Sequence, residues 1–315
     1  MQIFRHYFQL FLKGVAMGGA DVVPGVSGGT IAFITGIYGK LLDSIKSVDI
    51  EALRLLFRFR WQALWQHING SFLLVLLSGI ALSIITLAKL IHFLMENYPI
   101  QLWSFFFGLI IIAAVSVSRA ISRWNTASIV SGLIGIAIAY FITLATPAET
   151  PESAWFIFFS GALAICAMIL PGISGSFILL ILGKYTFILE AINERDLLVI
   201  ATFGLGCIVG LLSFARVISW LLDKYHNVAV ALLAGFMIGS LNKIWPWKEV
   251  VSTSLNSKGE VVPLVTENVW PTEYLQITGV QPHLWQAIVF MLLGILLVVG
   301  LEQFATRKAQ NTTQV

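Results

Sequence analysis

A helix-breaking segment occurs twice inside otherwise hydrophobic sequence. Pro24-Gly25-Val26-Ser27-Gly28-Gly29-Thr30 returns as Pro171-Gly172-Ile173-Ser174-Gly175-Ser176, and each copy is followed by an apolar run that closes on a lysine, Lys40 and Lys184. Proline and glycine in the middle of such a segment expose backbone groups that find no water in hydrocarbon. Breaks of this kind persist only where they are buried in protein or line a polar cavity. Matched breaks in two halves of a chain point to a transporter binding site.

The surrounding sequence suits a membrane. Of 315 residues, 58% are hydrophobic and 11% charged, with a mean hydropathy of +0.88, which excludes an ordinary soluble domain. Residues 71–95, 100–118, 126–146, 197–222, 228–245 and 284–304 are long enough and apolar enough to span. Two further stretches, 3–42 and 154–192, carry the motifs at their centres and read as re-entrant hairpins. Arg5, His6 and Lys13 interrupt the first apolar run, so no cleavable signal peptide is expected. A formal charge of +3 is too modest to indicate a nucleic-acid partner. Cys166 and Cys207 lie in apolar segments and read as packing residues; no metal site and no cofactor is expected.

Charge placement orients the chain. With the N-terminus in the cytoplasm and both hairpins returning to the side they leave, Arg5, Lys40, Lys46, Arg54, Arg58, Arg60, Arg119, Arg123, Lys224, Arg307 and Lys308 gather inside. The loops around 96–99 and 146–153 carry no Lys or Arg, and in the long polar loop 246–282 the acids outnumber Lys248 and Lys258. Each half is then one re-entrant helical hairpin plus three transmembrane helices. Three is odd, so the second half is inverted relative to the first. The expected fold is an all-α polytopic membrane protein built as an inverted repeat, residues 1–153 and 154–315, with both termini cytoplasmic. An insertion after Lys40 carries helical spacing of apolar residues over 49–68 and reads as one interfacial amphipathic helix. The loop 246–282 is expected outside the cytoplasm.

A broken helix offers backbone N–H groups and a positive dipole end to an anion. Glycines at Gly25, Gly28, Gly29, Gly172 and Gly175 allow close approach, and Ser27, Thr30, Ser174 and Ser176 add hydroxyls without fixed charge. The expected ligand is a phosphate or carboxylate, although Pro24-Gly25 and Pro171-Gly172 suit a tight turn equally well. Asp21, whose counterpart is Met168, either hydrogen-bonds the broken backbone or couples transport to a proton or sodium ion. Lys89 and Arg216 occupy matching repeat positions; each either neutralises a phosphate or snorkels to the interface. Lys13 pairs with Asp21 or snorkels, the second being favoured, and His92 reads as a packed polar residue. Gly14-x-x-x-Gly18, Gly206-x-x-x-Gly210 and Gly235-x-x-x-Gly239 are spacings for close helix packing.

The residues Met17-Gly18-Gly19-Ala20-Asp21-Val22-Val23 leading into the first motif, Leu170 leading into the second, and Gly239-Ser240-Leu241 before Trp245-Pro246-Trp247 resemble the bacterial polyprenyl-phosphate transporters called PopT, formerly a domain-of-unknown-function family. The resemblance runs from about residue 10 to residue 304. It implies return of undecaprenyl phosphate, the lipid carrier of cell-wall and peptidoglycan synthesis, from the outer to the cytoplasmic leaflet of the inner membrane. The undecaprenyl-pyrophosphate phosphatases of the BacA type carry a similar Pro-Gly-x-Ser-Arg-Ser motif. Here Gly28 and Gly175 stand at the arginine position, and no Glu-x-x-x-Glu pair lies in an apolar segment. Phosphoryl transfer needs such charge stabilisation, so an enzyme is the lesser alternative, beside an ion-coupled carrier of a small anion.

Overall fold

The computed structural model describes residues 2–23, 25–255 and 261–312. Pro24, Lys258 and the last three residues lie outside the described residues.

The chain is mostly helical. A first helix, α1 (Gln2–Asp21), is followed by two short ones, α2 (Gly28–Ile34) and α3 (Tyr38–Lys46). The insertion forms α4 (Ile50–Phe57) and α5 (Trp61–His67), and three long helices follow, α6 (Gly70–Asn97), α7 (Pro99–Ser118) and α8 (Thr126–Leu144). The second half repeats the order with α9 (Ala154–Ile169), α10 (Gly175–Ile181), α11 (Tyr185–Glu194), α12 (Leu197–Lys224) and α13 (His226–Ser240). It ends with strands β1 (Lys248–Leu255) and β2 (Val261–Asn268), α14 (Pro271–Thr278) and α15 (Leu284–Thr312). Among the described residues, five helices are long and apolar enough to cross a membrane: α6, α7, α8, α12 and α15. The pair α10 and α11, bent by 103°, would make a sixth if taken as one span. The protein is therefore a multi-pass membrane protein.

Four side-by-side pairs build the bundle: α1 with α6, α9 with α12, α7 with α15 and α8 with α13. Each pair runs parallel, because contacts ascend together along both helices. Gly14 meets Leu76 and Gly18 meets Ile80; Gly161 meets Phe203 and Gly210 meets Ala162; Gly135 meets Leu232 and Gly239 meets Ile136. Gln101 donates to Gln286 and Gly108 meets Met291 in the remaining pair. Small residues set these distances. A Cβ on Gly206 would stand 2.0 Å from the Phe158 carbonyl oxygen, and one on Gly235 2.2 Å from that of Gly132. The three predicted small-residue spacings are thus packing surfaces. Cys166 and Cys207 pack in the α9–α12 seam against the carbonyls of Gly210 and Gly161.

Three expectations change in detail. Residues 49–68 form two helices rather than one. Arg60 N–H bonds the Leu55 carbonyl and Phe59 N–H that of Leu56, with Phe59 at φ 54°, a helix stop that usually carries glycine and is here unmarked in the sequence. Ile50, Phe57, Phe59 and Trp61 stay exposed. The helix expected over 228–245 ends at Ser240, where residues 241–244 turn ahead of Pro246. The loop 246–282 departs from all-α: its β-branched runs pair as an antiparallel two-stranded sheet.

Candidate functional site

The two motifs meet at the centre of the core, among Val23, Val26, Ile173, Leu233 and Met237. Gly25 and Gly172 hold φ of 89° and 86°, the left-handed region open to glycine, and so reverse the chain at both breaks. Ser27 caps α2: its Oγ accepts from Gly29 N at 3.0 Å and donates to the Met168 carbonyl at 2.9 Å. Gly172 N donates to Thr30 Oγ1 at 3.1 Å. The second motif is therefore hydrogen-bonded to the first, and the first also to the end of α9 just before the second. At Gly29 a Cβ would stand 2.4 Å from the Ile169 carbonyl oxygen, so only hydrogen fits there. Ser27 and Thr30 are 1% and 0% exposed.

The N-termini of the two short helices differ. Asp21 Oδ1 accepts from Gly28 N at 2.6 Å, so a carboxylate of the chain itself already caps α2. Asp21 thus bonds the broken backbone, one of the two roles expected of it. At α10 the matching residue is Met168. Ser174 makes no side-chain cap; its hydroxyl faces that of Ser176 at 2.8 Å. Ser174 and Gly175 are buried, and Ser176 is half-buried.

The expected cations lie elsewhere. Arg216 is exposed and donates to the carbonyls of Leu212 at 2.7 Å and Val48 at 3.1 Å, tying α12 to the end of α3. Lys89 is exposed on α6 and, among the described residues, has no hydrogen bond to either motif. Lys13 donates to the Thr35 carbonyl at 2.6 Å, just past the C-terminus of α2. His92 is exposed 3.5 Å from Glu96 rather than packed.

A different cation reaches the seam. The turn after α13 lays Lys243 and Ile244 against Gly25, where an added Cβ would meet Lys243 Cγ at 2.9 Å. The Lys243 ammonium sits 4.2 Å from the ring centre of Phe177, the residue after Ser176. Its stem therefore lies against the first motif and its ammonium against the residue that follows the second. Lys248 Nζ donates to the Lys243 carbonyl and lies 4.9 Å over the Trp103 ring. Neither lysine was marked by the motif repeat, since both follow the end of α13. The available signal was a lysine directly between an apolar helix and Trp245-Pro246-Trp247.

An apolar groove of about 690 Å³ opens between α6, α7 and α15, lined by Leu94, Phe105, Phe106, Phe290 and Leu293. Phe107 of α7 meets Trp245 edge-on and Trp103 underlies Lys248, so the groove and the lysine corner share this helix. Among the described residues no group of three or more His, Cys, Asp or Glu side chains forms a metal-binding cluster.

Comparison with known proteins gives consistent matches. Residues 17–262 match the VCA0040-like family, described as undecaprenyl phosphate translocase-like. A protein of Vibrio cholerae named polyprenyl-phosphate transporter is 47% identical over 308 residues, 96% of this chain and 98% of that protein. One of Staphylococcus aureus with the same name is 34% identical over 254 residues, 75% of this chain and 85% of that protein. No solved structure matches the chain.

Proposed function

The chain belongs to the undecaprenyl phosphate translocase-like family, whose relatives are named as transporters and not enzymes, and on that premise we propose that it carries a polyprenyl phosphate across the bacterial inner membrane. The transported lipid is undecaprenyl phosphate, taken from the outer to the cytoplasmic leaflet for reuse in cell-wall synthesis. Its phosphate is held at mid-membrane where the two broken helices meet, by Ser27, Gly28, Gly29 and Thr30 on one side and Ser174, Gly175 and Ser176 on the other. The carrying observation is the bonding across the two breaks, Ser27 to Met168 at the end of α9 and Gly172 to Thr30. A bare phosphate in hydrocarbon would cost tens of kcal/mol on the Born estimate, so a carrier must present a polar seam of this kind. The prenyl tail stays in lipid, along the groove between α6, α7 and α15.

The parallel pairs support the inverted repeat. Because α1 runs beside α6 in the same sense, residues 22–69 must return to the end where α1 starts, as a re-entrant hairpin does. The pair α9 and α12 repeats this for residues 170–196. Since α8 parallels α13, and α12 reverses into α13 at Tyr225, α9 runs opposite to α1. Residues 1–153 and 154–315 then rock about the seam between outward and cytoplasmic states, with both termini cytoplasmic. Asp21 couples the movement to a proton or sodium gradient. Neither Lys89 nor Arg216 is needed for the phosphate.

The test uses liposomes holding purified protein and undecaprenyl phosphate, with a membrane-impermeant phosphate probe reporting exposure of the inner-leaflet lipid. Faster exposure without phosphate release from the pyrophosphate form is expected, together with a loss on Ser174→Ala plus Ser176→Ala. Phosphate release, or transport indifferent to that double substitution, sinks the proposal.

A further inference from the structure

Two ammonium groups lie together beside the motif seam, Lys243 against the residue after the second motif and Lys248 against the carbonyl of Lys243. Lys243 follows the C-terminus of α13 and stacks on Phe177, where a cation complements both the helix dipole and the ring quadrupole. Lys248 then reaches back to the carbonyl of Lys243 itself. Like charges drawn together away from water destabilise a fold unless an anion joins them. Among the described residues neither lysine is paired with a carboxylate in the ion pairs found, which join Lys46 to Asp43, Arg54 to Glu51, His67 to Asp49 and His92 to Glu96. Burial first, and the Lys243 charge second, push the Lys248 ammonium down to about 7. Both lysines are half-buried.

Charge counting gives the corner a preference. A phosphate monoester carries roughly 1.5 to 2 negative charges near neutral pH, whereas the diester of an ordinary anionic phospholipid carries a single one. Two ammoniums match the first and overcharge the second. We propose that Lys243 and Lys248 form the cationic wall of the phosphate site and select phosphate monoester lipids over diester lipids, Lys243 at the seam and Lys248 behind it. This rests on the transport reading above.

Binding is measured on the purified full-length protein in detergent with undecaprenyl phosphate, the matching polyprenol and phosphatidylglycerol. Lys243→Met and Lys248→Met keep the apolar stems and should weaken undecaprenyl phosphate roughly 10- to 100-fold, the loss of one charge-assisted hydrogen bond. Polyprenol binding should not move, Lys→Arg at either site should retain most affinity, and Lys224→Met, a lysine stacked on Trp220 elsewhere, should have no effect. Phosphatidic acid, a monoester, should compete with undecaprenyl phosphate while phosphatidylglycerol should not. If Lys243→Met does not fold, Lys248→Met decides, together with protection of both amines from acylation in the unmodified protein by undecaprenyl phosphate and not by polyprenol. Variants that bind and transport normally while the unmodified protein transports would overturn the lysine assignment and leave the transport reading standing. If the unmodified protein transports no polyprenyl phosphate, that reading fails. The lysines then stand only if millimolar inorganic phosphate stabilises the unmodified protein and not the double variant.

Discussion

Substituting Gly29 by alanine tests whether the seam between the motifs is as tight as its geometry indicates. The new Cβ would stand 2.4 Å from the Ile169 carbonyl oxygen and 3.1 Å from both the Ile169 carbonyl carbon and Ser27 Oγ, where ordinary contact begins at 3.4 Å. The obstacle is backbone, so the halves must part by about 1 Å, the kind of overpacking that costs about 1–3 kcal/mol. The same movement lengthens Ser27–Met168 and Gly172–Thr30, now 2.9 and 3.1 Å, beyond hydrogen-bonding range, at about 1 kcal/mol each. A displacement of that size at a binding constellation commonly costs about 100-fold in rate. Gly29→Ala should therefore lower thermal stability by about 3–5 kcal/mol in equivalent free energy and abolish most liposome transport. Gly39→Ala on α3, where nothing lies within 4 Å, should change neither. Normal stability and transport in Gly29→Ala would refute the tight seam. Reduced stability with normal transport would keep the contact and remove it from the site.

Other substitutions probe separate features. Asp21→Asn still offers an oxygen to Gly28 N–H but loses the charge-assisted part, so a stability loss of about 1 kcal/mol is expected. In that variant transport should no longer respond to an imposed pH or sodium gradient; an unaltered response removes Asp21 from coupling. Lys248→Met should stabilise the fold, because a lysine pushed below its ordinary value resists charging in the folded state. The gain should be full below pH 7, where both folded and unfolded lysine carry the proton, and should shrink from pH 7 towards 10.5, where the folded lysine is neutral and the unfolded one is ever easier to deprotonate. Melting curves across that range check the sign, and a gain growing with pH contradicts it. Gly206→Ala should destabilise α9–α12 by about 1–3 kcal/mol, whereas Gly204→Ala, two residues along and open to space, should be neutral or mildly stabilising.

What the sequence discloses is what repeats or depends on near neighbours. The paired Pro-Gly breaks, the long apolar helices and the Gly-x-x-x-Gly faces all follow from local composition, and each has its counterpart in the fold. What it hides depends on long-range closure. Lys243 becomes a seam residue only because α13 stops at Ser240 and the next turn folds onto Gly25, more than two hundred positions earlier in the chain. Arg216 matches Lys89 by repeat position, yet the end of α3 consumes its guanidinium because the insertion after Lys40 brings the Lys46 and Val48 carbonyls to it. The break at Phe59 is hidden for another reason: the left-handed position carries phenylalanine, so the usual glycine signal is missing.

The motifs are alike in sequence and unlike in what caps them, and that difference yields the sharpest remaining test. Gly28 N–H is held by Asp21 and Gly29 N–H by Ser27, so α2 meets its own needs. At α10 the residue in the place of Asp21 is Met168, whose Cβ lies 3.4 Å from a Cβ built on Gly175, just as Asp21 crowds Gly28. Met168→Asp should therefore deliver a carboxylate to α10 in the manner of the first motif. Such a cap adds about 0.5–2 kcal/mol to helix stability, so the protein should remain folded and melt no lower. It would also place a fixed negative charge where the phosphate is to dock, and like-charge repulsion should cut undecaprenyl phosphate binding while leaving polyprenol untouched. A folded Met168→Asp protein that transports normally would place the phosphate away from α10. Loss of transport with a preserved fold would assign the two motifs different work, the first as scaffold and the second as receptor.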